Sequence, residues 1–275
     1  MELKDARRSA LKRLGDEPSY KIDAIFEELF GITRKDLIVE GDRMLSEAEM
    51  EALDSVIEEV ERKKPLAYIF HRAYFMGEPF YVDERVLIPR YDTEQSIDAI
   101  EALELKEPKI LEIGTGSGCV AITLSKRLKG SRVVACDVSK EALEVAAINK
   151  KRHGADRVDL VESDLFSAIE GRFDLIYSNP PYISKGEMQT LDESVSSYEP
   201  HLALYGGEEG LDFYRAIIRE AQRHLYPGGY LVFEIGSGQG SAVSRLMTEG
   251  YFSGVEVRKD FSGLDRVVVG RLTNV

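Results

Sequence analysis

The run Asn179-Pro180-Pro181-Tyr182 combines a carboxamide, a backbone stripped of donors and an aromatic ring. It closes an apolar stretch, Phe173–Ser178, so the carboxamide is expected at the carboxyl edge of a sheet. Pro180 and Pro181 lack an N–H and have a fixed φ, which leaves carbonyls there open to an external donor. An amide oxygen and a backbone carbonyl together accept both hydrogens of an –NH2 group, and the Tyr182 ring can stack on its plane. That combination suits chemistry on a planar amino or amide nitrogen. A strand followed by a proline-stiffened turn would carry the same residues, so a second feature is needed to choose.

The second feature is the loop Gly114-Thr115-Gly116-Ser117-Gly118, which follows the apolar run Lys109–Ile113 and precedes a helix-like stretch reaching Leu128. Glycines at alternate positions allow a tight turn and close approach of a ligand to the backbone. The spacing differs from the G-x-G-x-x-G fingerprint of dinucleotide sites, and no Gly-Lys-Ser/Thr follows, which excludes a Walker-type phosphate loop. Asp137 ends the next apolar run, Arg132–Cys136, at the distance where an acid binds ribose hydroxyls. A nucleoside cofactor is indicated, with a nicotinamide dinucleotide as the competing choice.

The two features together resemble the class I S-adenosylmethionine-dependent methyltransferases that act on amino or amide nitrogens. Lys64-Pro-Leu-Ala-Tyr-Ile69, Phe75-Met-Gly77, Phe80-Tyr-Val82, Val86-Leu-Ile-Pro-Arg90 and Thr93-Glu94 narrow the likeness to the HemK/PrmC family. Tyr205-Gly-Gly-Glu-Glu-Gly-Leu-Asp-Phe-Tyr-Arg215 and Phe233-Glu-Ile-Gly236 do the same. The likeness runs from about Pro65 to the C-terminus. One departure is visible: Tyr91-Asp92 stands where the family usually has Pro-Glu.

The resemblance implies a glutamine N5-methyltransferase that modifies the Gly-Gly-Gln loop of class I peptide chain release factors. S-adenosyl-L-methionine would be used and S-adenosyl-L-homocysteine released. Gly114, Thr115, Gly116, Ser117 and Gly118 would line the cofactor's amino-acid moiety, Asp137 its ribose and Leu165 its adenine, with Asn179 bordering the same site. Asp164 would bind the adenine amino group or serve as a turn residue; Glu112 would reach the cofactor amine or be structural. Asn179, Pro180 and Tyr182 would carry catalysis, and with Pro181 would hold the substrate amide. For Arg90, a salt bridge to Glu94 and a pocket role stay open. Phe75 and Phe80 are expected as hairpin core.

Bulk composition narrows the partners. The chain has 36 Lys+Arg against 49 Asp+Glu, a net charge of −13, which argues against neutralising many phosphates. Adenine N6 and guanine N2 methyltransferases use the same Asn-Pro-Pro-aromatic device. A nucleic-acid amino methyltransferase is therefore the alternative, and a non-catalytic Rossmann module a further one. No direct contact with nucleic acid is expected. No run approaches the roughly 20 apolar residues of a membrane span, and no signal core follows the N-terminus, so a cytoplasmic protein is expected. Cys119 and Cys136 are expected as small buried hydrophobes, and no Cys/His pattern has metal spacing.

These residues need a scaffold. Residues 1–65 are expected to form a helical substrate-recognition domain of three helices, ended by Pro65; Ser46 and Glu49 make a capping box for the third. Residues 66–92 read as a hairpin linker. Residues 93–275 alternate helix and strand, which implies an α/β, Rossmann-like, mostly parallel sheet with a C-terminal antiparallel hairpin. The stretch 183–209 is too long for an ordinary connection and is expected to serve as a substrate loop or lid.

Overall fold

The computed structural model describes residues 1–15 and 17–273. The chain divides into two compact units, Met1–His71 and Arg72–Val275. Of the stretch read as a linker, residues 66–71 fall in the first unit and 72–92 in the second.

The first unit consists of α1 (Leu3–Arg13), α2 (Ser19–Phe30), α3 (Arg34–Val39), α4 (Glu47–Glu61) and α5 (Leu66–Ile69). Leu3, Ala6, Ala10, Ile22, Ile25, Phe26, Leu53 and Ile57 share one buried cluster, as helical spacing requires. The Ser46–Glu49 capping box opens α4. Helix α3 was not anticipated: at six residues it is too short for a periodic signal, and its start is marked only by the Thr33–Asp36 capping box. Pro65 does not end the helical part either. It sits before α5, where a proline's missing N–H costs nothing.

The second unit opens with a hairpin of β1 (Ala73–Phe75) and β2 (Glu78–Phe80). Met76 and Gly77 both have positive φ, 51° and 78°, the signature of a two-residue primed turn. Phe75 and Phe80 are fully buried beneath it, edge to face at 6.2 Å. A 3₁₀ turn (Tyr91–Thr93) leads into α6 (Glu94–Glu101). Then follow β3 (Lys109–Ile113), α7 (Cys119–Arg127), β4 (Arg132–Asp137), α8 (Lys140–His153), β5 (Val158–Glu162) and β6 (Phe173–Ser178). The short helices α9 (Lys185–Met188) and α10 (Glu193–Ser196) lie in the long connection to α11 (Asp212–His224). The chain closes with β7 (Leu225–Glu234), α12 (Gly240–Glu249), β8 (Phe252–Lys259) and β9 (Asp265–Leu272).

Seven strands form one sheet in the order β5-β4-β3-β6-β7-β9-β8, parallel from β5 to β7 and antiparallel where β9 joins β7 and β8. Apolar clusters cover both faces, as a parallel sheet demands. Strand β7 starts at Leu225, directly after α11. Leu225 leaves the helix to pair with Phe173, and a bulge absorbs the intervening residues. The order reverses between β3 and β6, so a ligand crevice is due at their carboxyl ends.

Candidate active site

Strand register brings four chemically useful positions into one row. Ile113 lies opposite both Cys136 and Ser178, and Ser178 lies opposite Phe233. The next residues on these four neighbouring strands are Asp137, Gly114, Asn179 and Glu234. The Ser178 hydroxyl donates to the Ile113 carbonyl at 2.8 Å, tying β6 to β3 just below the row.

A cavity opens above it. Its lining includes Gly114, Thr115, Gly116, Ser117, Asp137, Leu165, Asn179, Pro180 and Pro181. Glu112, Asp164, Arg85, Arg90, Thr93 and Tyr177 join them. Of the residues expected to hold the cofactor or the substrate, Gly118 and Tyr182 stand outside this lining. Gly118 caps α7 at φ 80°, pressed against Ala146. Tyr182 packs among the apolar residues beneath α11, and burial pushes its hydroxyl up to about 12, so it stays neutral.

The glycine loop owes its shape to backbone conformation. Gly114, Gly116 and Gly118 all have positive φ, which explains their alternate spacing. Three side chains then hold the loop. Asp137 accepts from the Gly116 N–H at 2.9 Å and the Ser139 N–H at 3.0 Å. Glu112 accepts from the Thr115 hydroxyl at 2.6 Å and the Ala121 N–H at 3.1 Å. Asn149, fully buried on α8, donates to the carbonyls of Ser117 and Tyr81. Burial raises the Glu112 carboxyl to about 8, with the nearby Asp137 charge adding to the rise; burial raises Asp137 as well.

Leu165 lines the cavity at φ 49°, an uncommon conformation for leucine. Its carbonyl accepts from the Ser163 hydroxyl at 3.0 Å, which holds the turn. Asp164 is an exposed residue of that turn, its N–H bonded to Ser167 Oγ.

The Asn-Pro-Pro-Tyr segment is pinned by a residue that sequence reasoning missed. Gln239 Nε2 donates to the carbonyls of Tyr182 (3.0 Å) and Gly210 (3.1 Å), while its Oε1 accepts from the Gly236 N–H and the Tyr214 hydroxyl. A side-chain atom at Gly206 would collide with the Pro181 carbonyl, and one at Gly210 with the Tyr182 carbonyl. The Tyr-Gly-Gly-x-x-Gly signature is therefore the surface against which this segment rests. No backbone N–H among the described residues donates to the Pro180 carbonyl.

The stretch 183–209 folds back on itself through Ile183 and Tyr205, and its residues Pro200, Leu202 and Ala203 line the cavity. Glu199 anchors it, accepting from Arg90 at 2.5 Å and from the Ile88 N–H at 3.3 Å. Of the two roles left open for Arg90, the Glu94 bridge does not form, since Glu94 accepts from the Met76 N–H at 2.6 Å, whereas Arg90 does line the cavity. Asp92 pairs with Arg266 at 3.0 Å and Tyr91 is exposed, so the departure at these two positions leaves the cavity wall intact.

Residues 3–70 match the PrmC N-terminal domain family and residues 97–206 the methyltransferase small domain family. A release factor glutamine methyltransferase of Chlorobaculum tepidum is 41% identical over 264 residues, spanning 91% of this chain and 89% of that protein. One of Geobacter sulfurreducens is 40% identical over 243 residues, spanning 88% and 85%. Among solved structures, a methyltransferase from Pyrococcus furiosus shares the fold with a TM-score of 0.55. It is 21% identical and covers 80% of this chain and 100% of its own.

Proposed function

This chain belongs to the release factor glutamine methyltransferase family, and from that premise we propose that it methylates the side-chain amide nitrogen of the glutamine in the Gly-Gly-Gln loop of class I release factors, with S-adenosylmethionine as donor. The observation that carries the proposal is the register that sets Asn179 beside the glycine loop. It puts an acceptor for an –NH2 group next to an acid-lined nucleoside-sized crevice.

When bound, the cofactor supplies an activated methyl group. The chain's part is to hold a poor nucleophile in line with it. An amide nitrogen shares its lone pair with the carbonyl, so orientation matters greatly and can contribute up to roughly 7–11 kcal/mol. Asn179 Oδ1 and the Pro180 carbonyl accept the two N–H hydrogens. Their dipoles then stabilise positive charge as it develops on nitrogen. Pro181 keeps the turn rigid, and Tyr182, packed beneath α11 in place of flanking the amide, anchors it from behind. The proton lost from the product passes to water. Gly114 to Ser117 border the cofactor's amino-acid part, Asp137 takes the ribose with its remaining lone pairs, and Leu165 covers the adenine.

Labelled S-adenosylmethionine and purified release factor, with the modified peptide located by mass spectrometry, test this. One methyl on the Gly-Gly-Gln glutamine is expected. Label on rRNA or DNA but not on the factor would move the substrate to a nucleic acid. Asn179→Ala should lower turnover on the order of a hundredfold or more while leaving cofactor affinity largely intact.

A further inference from the structure

We infer that Glu234 is a positioning residue for methyl transfer: it holds the Asn179 carboxamide by its NH2 group, so that Oδ1 is presented to the substrate amide. The inference rests on the function proposed above and deepens it. Phe233 lies in register with Ser178, so Glu234 and Asn179 leave adjacent parallel strands, which run about 4.8 Å apart. Glu234 is 1% exposed, and the side chains of Asn179 and Thr93 lie close enough to its carboxyl group to favour the ionised form. Its Oε2 is enclosed without a hydrogen-bond partner among the described residues. A carboxyl group buried to this degree is costly to keep, and nothing in the apolar packing requires one.

The donor and acceptor inventory fixes the outcome. An ionised carboxylate only accepts, so Asn179 must turn Nδ2 toward it and Oδ1 away. A protonated carboxyl can donate, and Asn179 Oδ1 is then free to turn inward, where it no longer meets the substrate. The same side chain thus decides which face of the carboxamide is offered. The groups facing Glu234 are Thr93 and Asp92 before α6, Arg266 on β9, Tyr177 on β6, Tyr182 after it, Tyr214 on α11 and Cys119 on α7. Burial raises the carboxyl to about 7; Thr93, Arg266 and Asn179 pull it down, and Asp92 pushes it up. The productive, ionised form is therefore the one favoured as pH rises through neutrality.

The test compares the full-length wild type with Glu234→Gln and Glu234→Leu, at saturating S-adenosylmethionine and release factor, between pH 6 and 9. Wild-type kcat should rise through a limb near pH 7. Glu234→Gln should lose that limb and run on the order of tenfold slower at pH 8, the effect of removing one charge-assisted hydrogen bond. Cofactor affinity by calorimetry should stay within about twofold, since the effect falls on orientation and not on binding. Glu234→Leu should be slower still. Three results would overturn the inference: a Glu234→Gln profile that keeps the limb, a Glu234→Leu variant with wild-type kcat, or a loss confined to cofactor affinity. If Glu234→Leu does not fold, the Glu234→Gln profile decides alone. Titration of Glu112 is separable because it persists in Glu234→Gln. A wild type that leaves the release factor unlabelled would remove the proposed function itself; a labelled wild type with indifferent variants would remove only the role of Glu234.

Discussion

Glu112 shows how a buried carboxyl couples the glycine loop to pH. It bridges Thr115 and the first turn of α7, fully enclosed, with its carboxyl raised by burial to about 8. A raised acid binds its proton more tightly in the folded state. Its contribution to stability is thus complete below the ordinary carboxylate range near 4.5 and is lost as pH climbs through about 8. Glu112→Gln removes the titration but keeps an acceptor. In chemical denaturation the variant should gain on the wild type by on the order of 4 kcal/mol between pH 5 and pH 9. A constant difference across that range would contradict the argument. Asp137 makes a contrasting case, because it both holds the Gly116 N–H and faces the cavity. Asp137→Ala should weaken S-adenosylmethionine binding by roughly tenfold or more in calorimetry before it slows turnover at saturating cofactor.

Among the elements, the Asn179–Tyr182 turn after β6 depends on contacts from three others: α11, the start of α12 and the Tyr205–Gly210 segment. Gln239, just before α12, satisfies four polar groups at once, two of them carbonyls of Tyr182 and Gly210. Replacing it by leucine would strand those groups in a half-buried setting, at a cost of about 1–3 kcal/mol. Gln239→Leu should therefore lower the melting temperature and also reduce kcat, as the Tyr182 backbone loses its tether. A variant that is destabilised yet fully active would show that the tether is structural only. The connection 183–209 is anchored more tightly than its length suggests. Glu199, buried at its centre, fastens it to Arg90 and Ile88, and so sets Pro200 and Leu202 over the cavity.

For the whole molecule, the charge of −13 is the feature with a functional consequence. An acidic enzyme attracts a basic partner surface over distances up to the Debye length, about 10 Å at 0.1 M salt. If such steering operates, kcat/KM for the release factor should fall several-fold between roughly 0.02 and 0.3 M salt while kcat stays level. A kcat/KM unaffected by salt would exclude steering. No helix among the described residues is long and apolar enough to cross a membrane.

Local chemistry made much of this legible in the chain itself. Three alternating glycines can serve three left-handed positions, Asn-Pro-Pro ends a strand because proline cannot continue a ladder, and alternation of helix and strand implies a parallel sheet. The helix cores of the first unit followed from periodicity for the same reason. What sequence could not supply was anything set by contacts between distant segments. Helix α3 was too short to register, and Arg90 found Glu199, 109 residues away, in place of its neighbour Glu94. The row of Asp137, Gly114, Asn179 and Glu234 exists only because four strands pair in one register. Spacing along a strand has a period of two residues and is local, whereas which strand lies beside it is chosen by burial of the whole sheet. The carboxamide at Asn179 could be read from the chain; that the buried Glu234 stands beside it on the next strand could be found only once the sheet was assembled.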